Sequence, residues 1–304
     1  MKNKQIVRRA GELVRGNRPF RQLAWIWCGV SLGLNFLLTV VTYLLDQGVA
    51  GTGGLAGIQN RAILMTAQLV LQVAVMALIP FWDMGFSYAA LQVAGEQRVD
   101  KGCLTQGFHR WSSVLGTLIL RIVFLTILTV ACLYGATTLY TFSPMGMELM
   151  EQIDGVMLQM DPANPDLAAL EALLPAFVPI YVLTGLAAIV LVVPAAYRLR
   201  LSDFAVMDDA RGGMEALRRS ARVVKGRFWK LVGLDLRFWW YYVLLILAAA
   251  VAYGDRILGL EGPVAYFGFV VVSLAAQLGL YILVIPRLQT AFALFYKEQK
   301  GQVV

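Results

Sequence analysis

The sequence is poor in charge, histidine and cysteine, and these shortages exclude several classes of protein. Charged residues make up 15% of the 304 residues and apolar residues 59%, whereas about a quarter of a soluble domain is charged. Cys28, Cys103 and Cys132 have no CxxC spacing, so they predict neither a zinc site nor a disulfide framework. His109 is the only histidine, and no HExxH, GxSxG or P-loop pattern is present. We therefore expect no enzyme active site, no metal and no cofactor.

The apolar residues fall in long runs, and the mean hydropathy is +0.67. Runs of this length indicate an integral membrane protein rather than a soluble protein with a large core. The first run exceeds the apolar core of a signal peptide, so we expect it to remain as an anchor. We predict an all-α polytopic protein, with residues 1–304 forming a single membrane domain. Its six predicted transmembrane helices lie at about 22–45, 62–82, 111–139, 176–197, 229–252 and 264–285.

Basic residues are divided unequally between the two sides of these spans. One side holds both termini, residues 93–110 and residues 198–230, and carries 22 of the 26 Lys and Arg residues. The other side carries Arg61 and Arg256, and its loop at 141–175 has six acids and no Lys or Arg. Basic loops stay in the cytoplasm, so we predict a multi-pass protein of the cell membrane with both termini cytoplasmic. No soluble module with interleaved aromatic residues accompanies the charge, so we expect no nucleic-acid partner.

The spans also suggest an internal repeat. A glycine followed by basic and aromatic residues precedes each outward span, in G16NRPFRQL, G107FHRWSSV and G226RFWKL. A proline lies near the cytoplasmic end of each returning span, at Pro80, Pro194 and Pro286, and an aromatic-bearing extension follows it. We predict three helical hairpins, with interfacial amphipathic helices on the cytoplasmic side.

Residues 208–240 predict an amphipathic helix that leads into a span. Its apolar residues recur at three- and four-residue steps, at Met214, Leu217, Ala221, Val224 and Phe228. We expect the helix to lie on the cytoplasmic membrane surface and to bind anionic lipid headgroups through its cations. These are Arg218, Arg219, Arg222, Lys225 and Arg227. The alternative is that the helix packs onto other cytoplasmic segments of the same protein.

Four charged residues lie near or within the predicted spans, at Asp83, Arg121, Asp235 and Arg237. Charges in hydrocarbon are costly, so they face a bundle interior, form pairs or line a water-filled path. Arg121 is the deepest, and we predict that an acid within the bundle pairs with it. The other three fit either structural ion pairs near the boundary or a polar pathway.

Three segments resemble a family of bacterial integral membrane proteins of unknown function, common in Gram-positive bacteria. They are ALRRSARVVKGRFWKLVGLDLRFWWYYVL, PRLQTAFALFYKEQ and MKNKQIVRRAGELVRGN. GRFWKLVGL also resembles the membrane domain of glycerophosphoryl diester phosphodiesterases. The resemblance implies a membrane fold and a location in the bacterial cell membrane, and it implies no reaction.

Three classes of function remain open. The first is a non-enzymatic membrane protein: a scaffold, a lipid-interacting factor or an accessory subunit with a membrane-protein partner or a second copy of the chain. The second is a transporter that uses a polar path between hairpins. The third is an intramembrane enzyme. An acid-lined cavity that reaches mid-membrane would favour the transporter, and a solid bundle would favour the scaffold.

Overall fold

A computed structural model of the chain describes residues 1–50, 54–159, 174–210, 212–260 and 262–301. These ranges contain helices and turns and no β-strand. The chain divides into two compact units, the first formed by Met1–Thr117 and Leu201–Val304 and the second by Leu118–Arg200. The predicted all-α class is therefore confirmed for the described residues.

The helices of the first half of the chain are α1 Asn3–Gly16, α2 Arg18–Ala50, α3 Gly54–Ala94, α4 Gln106–His109, α5 Trp111–Thr141 and α6 Pro144–Gln159. Those of the second half are α7 Val178–Ala187, α8 Val193–Leu199, α9 Ser202–Asp208, α10 Gly213–Val224, α11 Phe228–Asp235, α12 Trp239–Ala250, α13 Gly254–Ile257 and α14 Pro263–Lys300. Short 3₁₀ turns at Lys101–Thr105, Leu174–Phe177, Leu236–Phe238 and Val251–Tyr253 and a π-helical turn at Ala188–Val192 connect or extend them.

The described residues contain six helical segments long and apolar enough to cross a membrane, as the sequence predicts. These segments are Arg18–Tyr43, Ala62–Ala94, Trp111–Thr141, Val178–Asp208, Phe228–Tyr253 and Pro263–Lys300. Several extend beyond the predicted limits, because helical structure continues past the apolar residues into amphipathic ones. The boundary that hydropathy detects is therefore not the end of the helix.

The three prolines near the span ends lie inside helical segments. α3 continues from Pro80 to Ala94, and α14 continues from Pro286 to Lys300. Pro194 lies at the start of α8, directly after the π-helical turn. A proline lacks the N–H that the helix ladder needs, and a π-turn is one way to absorb that loss. The segments that follow the prolines are thus helical extensions of the spans.

These extensions form much of the buried core of the first unit. α3 contacts both α9 and α14 through its C-terminal part, and the ring of Phe204 stacks on that of Tyr296 at 6.3 Å. The largest fully buried side chains lie mainly here and in the neighbouring helix starts: Tyr296, Phe20, Phe86, Phe295, Ile6, Leu23, Met84, Leu201, Met207, Leu231, Leu234 and Gln299. The tight packing of this unit is therefore concentrated at one end of its spans.

Each extension carries a short helical segment from another part of the chain. α1 packs on α14 through Ile6, Ala10 and Val14, and α10 packs on α9. The 3₁₀ turn at Lys101–Thr105 and α4 pack on α3. α1 and α14 are the first and last helices described, so their contact joins distant parts of the chain.

Two glycines bring α4 and the preceding 3₁₀ turn against the backbone of α3. A Cβ at Gly107 would lie 2.9 Å from the carbonyl carbon of Phe81 and nearer still to its oxygen. A Cβ at Gly85 would likewise lie 2.6 Å from the carbonyl carbon of Leu104. Real Cβ atoms do not approach backbone atoms this closely, so any larger residue here would force the two segments apart.

The second unit contains most of α5, all of α6, and the described part of the fourth span up to Arg200. Ser143 caps α6, since its Oγ accepts a hydrogen bond from the Gly146 N–H at 3.1 Å. The predicted outer loop at 141–175 is thus helical over Pro144–Gln159, and its residues 160–173 lie outside the described residues. The most apolar stretch of the span Val178–Asp208 has 0% of its residues buried, so every side chain there is at least partly exposed.

Candidate functional site

A polar cavity of about 580 Å³ lies within the first unit, between α2, α3, α14 and the turn that follows α12. We call it the polar cavity. Its polar and aromatic lining consists of Trp27, Ser31, Asn35, Thr39, Asp83, Tyr253, Asp255, Tyr266, Ser273, Gln277 and Tyr281. Aliphatic side chains complete the wall. Among the side chains that the structure describes, the lining includes two carboxylates, Asp83 and Asp255, and no Lys, Arg or His, so its described charge is negative.

Asp83 is held at one end of the polar cavity by tryptophan. Trp27 Nε1 donates a hydrogen bond to Asp83 Oδ1 at 2.9 Å. The Trp27 ring is fixed in turn, because it stacks on Phe86 at 4.9 Å and its backbone carbonyl accepts from Trp82 Nε1 at 3.4 Å. A donor to one carboxylate oxygen stabilises the charge and leaves the other oxygen able to accept from a bound group.

Two rows of polar side chains continue from this end along the facing helices. Ser31, Asn35 and Thr39 are spaced four residues apart on α2 and therefore share one face. Ser273, Gln277 and Tyr281 have the same spacing on α14. The contacts within the second row are close, since Gln277 Nε2 donates to Ser273 Oγ at 3.0 Å.

Ser31 is the one residue of these rows whose hydroxyl is buried without a protein partner in the described ranges. The residue is 7% exposed, and its Oγ makes no hydrogen bond there. By contrast, Ser273 Oγ donates to the Ala248 carbonyl at 2.7 Å, and Thr39 Oγ1 donates to the Asn35 carbonyl at 3.0 Å. Buried hydroxyls in native proteins are nearly always hydrogen-bonded, so Ser31 is available to a group inside the polar cavity.

The polar cavity extends well into the depth of a membrane. Trp27 and Thr39 are separated by roughly 18 Å along α2, given 1.5 Å per residue, and a hydrocarbon core is about 30 Å thick. Asp255, which follows α12, lies at the end opposite Asp83. Such a cavity can solvate and hold a small polar or cationic group away from lipid.

Of the four predicted intramembrane charges, the structure places only Asp83 in the polar cavity. Asp235 is 7% exposed and accepts a hydrogen bond from the Tyr242 hydroxyl at 2.7 Å, which fits the structural alternative for this residue. Arg121 is half-buried on α5, in the second unit, and its predicted pairing with an acid stays a prediction. Arg237 lines a second cavity with Arg287.

α10 buries Leu217 and Val224 of the predicted apolar stripe, but its buried face is rotated toward Ala216, Ser220 and Val223. Its buried residues are Ala216, Leu217, Ser220, Val223 and Val224, while Met214 is 49% exposed. The Leu201 N–H donates to Ser220 Oγ at 3.1 Å, which fixes the small-residue side of α10 against the start of α9. The small side chains of Ala216 and Ser220 permit this approach, and the geometry fits the alternative in which α10 packs onto the same protein.

The cations predicted to bind lipid headgroups differ in their surroundings. Arg218, Arg222 and Lys225 are exposed, and Arg227 is half-buried. Arg219 pairs instead with Asp209 and with Glu215, the latter at 3.1 Å. Contact of these residues with lipid stays a prediction.

The Arg219–Asp209 pair perturbs both groups. Burial alone would raise the pKa of Asp209, but the hydrogen bond and charge of Arg219, aided by Lys300, outweigh it and lower that pKa. Burial would likewise lower the pKa of Arg219, and its hydrogen bonds with Tyr296 and Asp209 raise it instead. Both shifts favour the charged forms, as expected for an ion pair.

Asp83 is the one residue of the polar cavity that the sequence predicted as a candidate site residue. Ser31, Asn35, Thr39, Ser273 and Gln277 are uncharged, so they barely change the hydropathy of their spans. The available signal was their four-residue spacing, which places each set on one helical face. Within the described ranges, no three His, Cys, Asp or Glu side chains lie close enough together to hold a metal ion.

Comparisons with known proteins identify the family of the chain. No curated protein and no solved structure matches it. The resemblance to the membrane domain of glycerophosphoryl diester phosphodiesterases stays a prediction. One family matches residues 1–302, nearly the whole chain, and its description is a protein of unknown function. The chain therefore belongs to the DUF975 family of proteins of unknown function.

Proposed function

We propose that this chain is a non-enzymatic membrane protein that transports a small polar solute, with a preference for cations, through the polar cavity. The observation that carries the proposal is the acid-lined cavity between α2, α3 and α14. A scaffold needs no such space, and an intramembrane carboxylate is costly unless it has a partner or an aqueous surrounding.

The charge and hydrogen-bonding groups of the polar cavity support a cationic solute. Asp83 and Asp255 are the charged residues in the described part of its lining, and side chains with oxygen atoms at Ser31, Asn35 and Thr39 lie on α2. A positive solute would meet a carboxylate at either end and neutral oxygen atoms along the way. Binding at several weak sites in sequence allows a solute both to enter and to leave.

We also propose that both termini and α10 face the cytoplasm of a bacterial cell. The division of basic residues between the loops supports this orientation. In this orientation, Arg218, Arg222 and Lys225 are the exposed cations of α10 that would meet anionic headgroups. Their attraction would be diffuse and sensitive to salt, since each surface cation contributes about 1 kcal/mol.

Substituted-cysteine labelling tests the proposed path without knowledge of the solute. Cys28, Cys103 and Cys132 would first be replaced by alanine, and single cysteines would then be placed at Asn35 and at Leu37 of α2. Asn35 lines the polar cavity, and Leu37 is 52% exposed on the apolar surface. We expect water-soluble thiol reagents to modify a cysteine at 35 and to spare one at 37.

The charge of the reagent then tests the preference for cations. A cationic methanethiosulfonate should modify the cysteine at 35 faster than an anionic one, and Asp83→Asn should remove that difference. Asp154→Asn is the matched control, because Asp154 is an exposed acid of α6 outside the cavity. Equal modification at 35 and 37, or no difference between the reagents, would contradict the proposal.

An accessory-subunit function is the second candidate. The observation that favours it is the span Val178–Asp208, whose most apolar stretch buries none of its side chains. A membrane-protein partner or a second copy of the chain could cover this span. Crosslinking from Leu186 in intact membranes distinguishes the two functions, since discrete protein adducts support a subunit and adducts to lipid alone contradict one.

A further inference from the structure

A second cavity of about 480 Å³ brings four arginines together in the first unit. α1 contributes Arg8 and Arg15, the turn after α11 contributes Arg237, and α14 contributes Arg287. Glu12 is the one acid in the described part of its lining. We call this cavity the arginine pocket. Its residues come from three separate parts of the chain, and the contact between α1 and α14 brings two of these parts together.

Within the described residues, the protein neutralises only part of the positive charge of the arginine pocket. Arg8 lies 3.6 Å from Glu12, and both side chains are largely exposed, so this pair is weak. In the described part of the chain, no carboxylate pairs with Arg15, Arg237 or Arg287. Like charges that converge in this way repel one another, and a bound anion removes that repulsion.

The pocket also has an apolar side formed by the spans. Leu283 and Val284 lie directly before Pro286, and Trp240 follows Arg237 at the start of α12. Leu283 is 63% exposed and Trp240 42% exposed. Arginines therefore lie beside apolar side chains that a membrane-spanning helix would present to lipid, and a tryptophan in this position is typical of the headgroup level.

We propose that the arginine pocket binds the phosphate of an anionic membrane phospholipid, whose acyl chains lie along the exposed side chains of Leu283 and Trp240. The planar guanidinium group donates two parallel hydrogen bonds to phosphate oxygens, which makes arginine well suited to this group. A free phosphate would form hydrogen bonds with the arginines and make no contact with the apolar side of the pocket. A phospholipid satisfies both, and basic pockets between spans on the cytoplasmic side are known to take such headgroups.

This site differs from the diffuse attraction expected of the α10 surface. Arg218 and Arg222 are exposed side chains on one helix, whereas Arg237 and Arg287 belong to separate helices that converge on one cavity. Two double variants therefore each remove two positive charges from the protein, but only one of them removes arginines from the pocket. Arg237→Gln with Arg287→Gln is the pocket variant, and Arg218→Gln with Arg222→Gln is the matched surface variant.

Native mass spectrometry of the full-length protein in detergent measures the affinity for phosphatidylglycerol, phosphatidylcholine, glycerol 3-phosphate and inorganic phosphate. We expect phosphatidylglycerol to bind best. The pocket variant should weaken that binding by about tenfold or more, and the surface variant should change it by no more than about twofold. Equal loss in the two variants, or no loss in the pocket variant, would overturn the pocket.

The soluble probes distinguish the two sources of phosphate. Glycerol 3-phosphate or inorganic phosphate binding as tightly as phosphatidylglycerol would overturn the assignment to a lipid. If the pocket variant fails to fold, the same binding measurement is made on Arg8→Gln with Arg15→Gln. Both of these side chains are exposed on α1, so their loss removes no packing. Unchanged affinity for phosphatidylglycerol in that variant would overturn the proposal.

Discussion

Replacing Gly107 by alanine should destabilise the protein through the backbone of α3. The new Cβ would lie 2.9 Å from the Phe81 carbonyl carbon and nearer to its oxygen, and nonbonded C···O contacts are ordinarily about 3.3–3.6 Å. α4 and α3 would have to separate by roughly 1.5 Å to restore that contact with the oxygen. Because the obstacle is backbone, no side-chain rotation relieves it.

The expected loss follows from two opposing contributions. Overpacking costs about 1–3 kcal/mol, and a rigid backbone contact favours the upper end of that range. Alanine stabilises a helix by about 1 kcal/mol relative to glycine, which reduces the net loss to about 2 kcal/mol. Gly29→Ala in α2 is the matched control, since nothing lies within 4 Å of its new Cβ and only the stabilising contribution applies.

The assay is thermal unfolding in detergent, followed by size-exclusion chromatography of the heated samples. We expect Gly107→Ala to unfold about 6–12 °C below Gly29→Ala, from a difference of about 3 kcal/mol. Gly85→Ala should behave like Gly107→Ala, and the double variant should lose less than the sum, because both changes open the same contact. Equal unfolding temperatures for Gly107→Ala and Gly29→Ala would refute the close approach of α4 to α3.

Three further predictions follow from the distribution and pairing of charged residues. A cysteine at Asn164, which lies outside the described residues, should react with impermeant reagents added outside the cell, and one at Gly212 should not; the opposite result would reverse the orientation. Arg121→Met should lower the unfolding temperature more than the exposed control Arg218→Met, because loss of one partner leaves a buried charge at a cost of about 3–5 kcal/mol, and no loss would contradict the pairing. The lowered pKa of Asp209 means that its ion pair stabilises the protein above the ordinary carboxyl pKa and that this contribution is lost as pH falls through the lowered value. The unfolding temperatures of wild type and Asp209→Asn should therefore differ at pH 6, and the difference should shrink as the pH falls below the ordinary carboxyl pKa; a difference that does not shrink would count against that pair.

Much of the fold could be predicted from the sequence, because the features concerned are local. Apolar runs long enough to cross a membrane are contiguous in the chain, and the structure confirms six of them. The helix ends were less predictable. Pro80 and Pro286 indicated boundaries, yet α3 and α14 continue past them because their following segments are buried against other helices. Tertiary packing there outweighs the local cost of proline.

The candidate sites were much less predictable than the spans. Asp83 stood out because a charge in a span is rare, but hydropathy could not indicate that Ser31 and Ser273 face the same cavity. A hydropathy scale scores an apolar residue equally whether it faces lipid or lines a cavity. The scale therefore does not show which side of a span faces lipid and which faces the cavity. Only the packing of α2 against α14 decides it.

The sequence by itself determined the membrane class, the number and places of the spans, and the position of each charge along the chain. The tertiary structure alone decided which of those charges meet. Arg8 and Arg287 are far apart in the chain, and their joint presence in the arginine pocket depends on the docking of α1 on α14. Arg219 likewise pairs with Asp209 because α10 folds back onto α9, whereas its contact with Glu215 lies within α10 itself. Periodicity and hydropathy are properties of residues that are close in the sequence. Whether distant residues meet depends on which helix faces pack against one another.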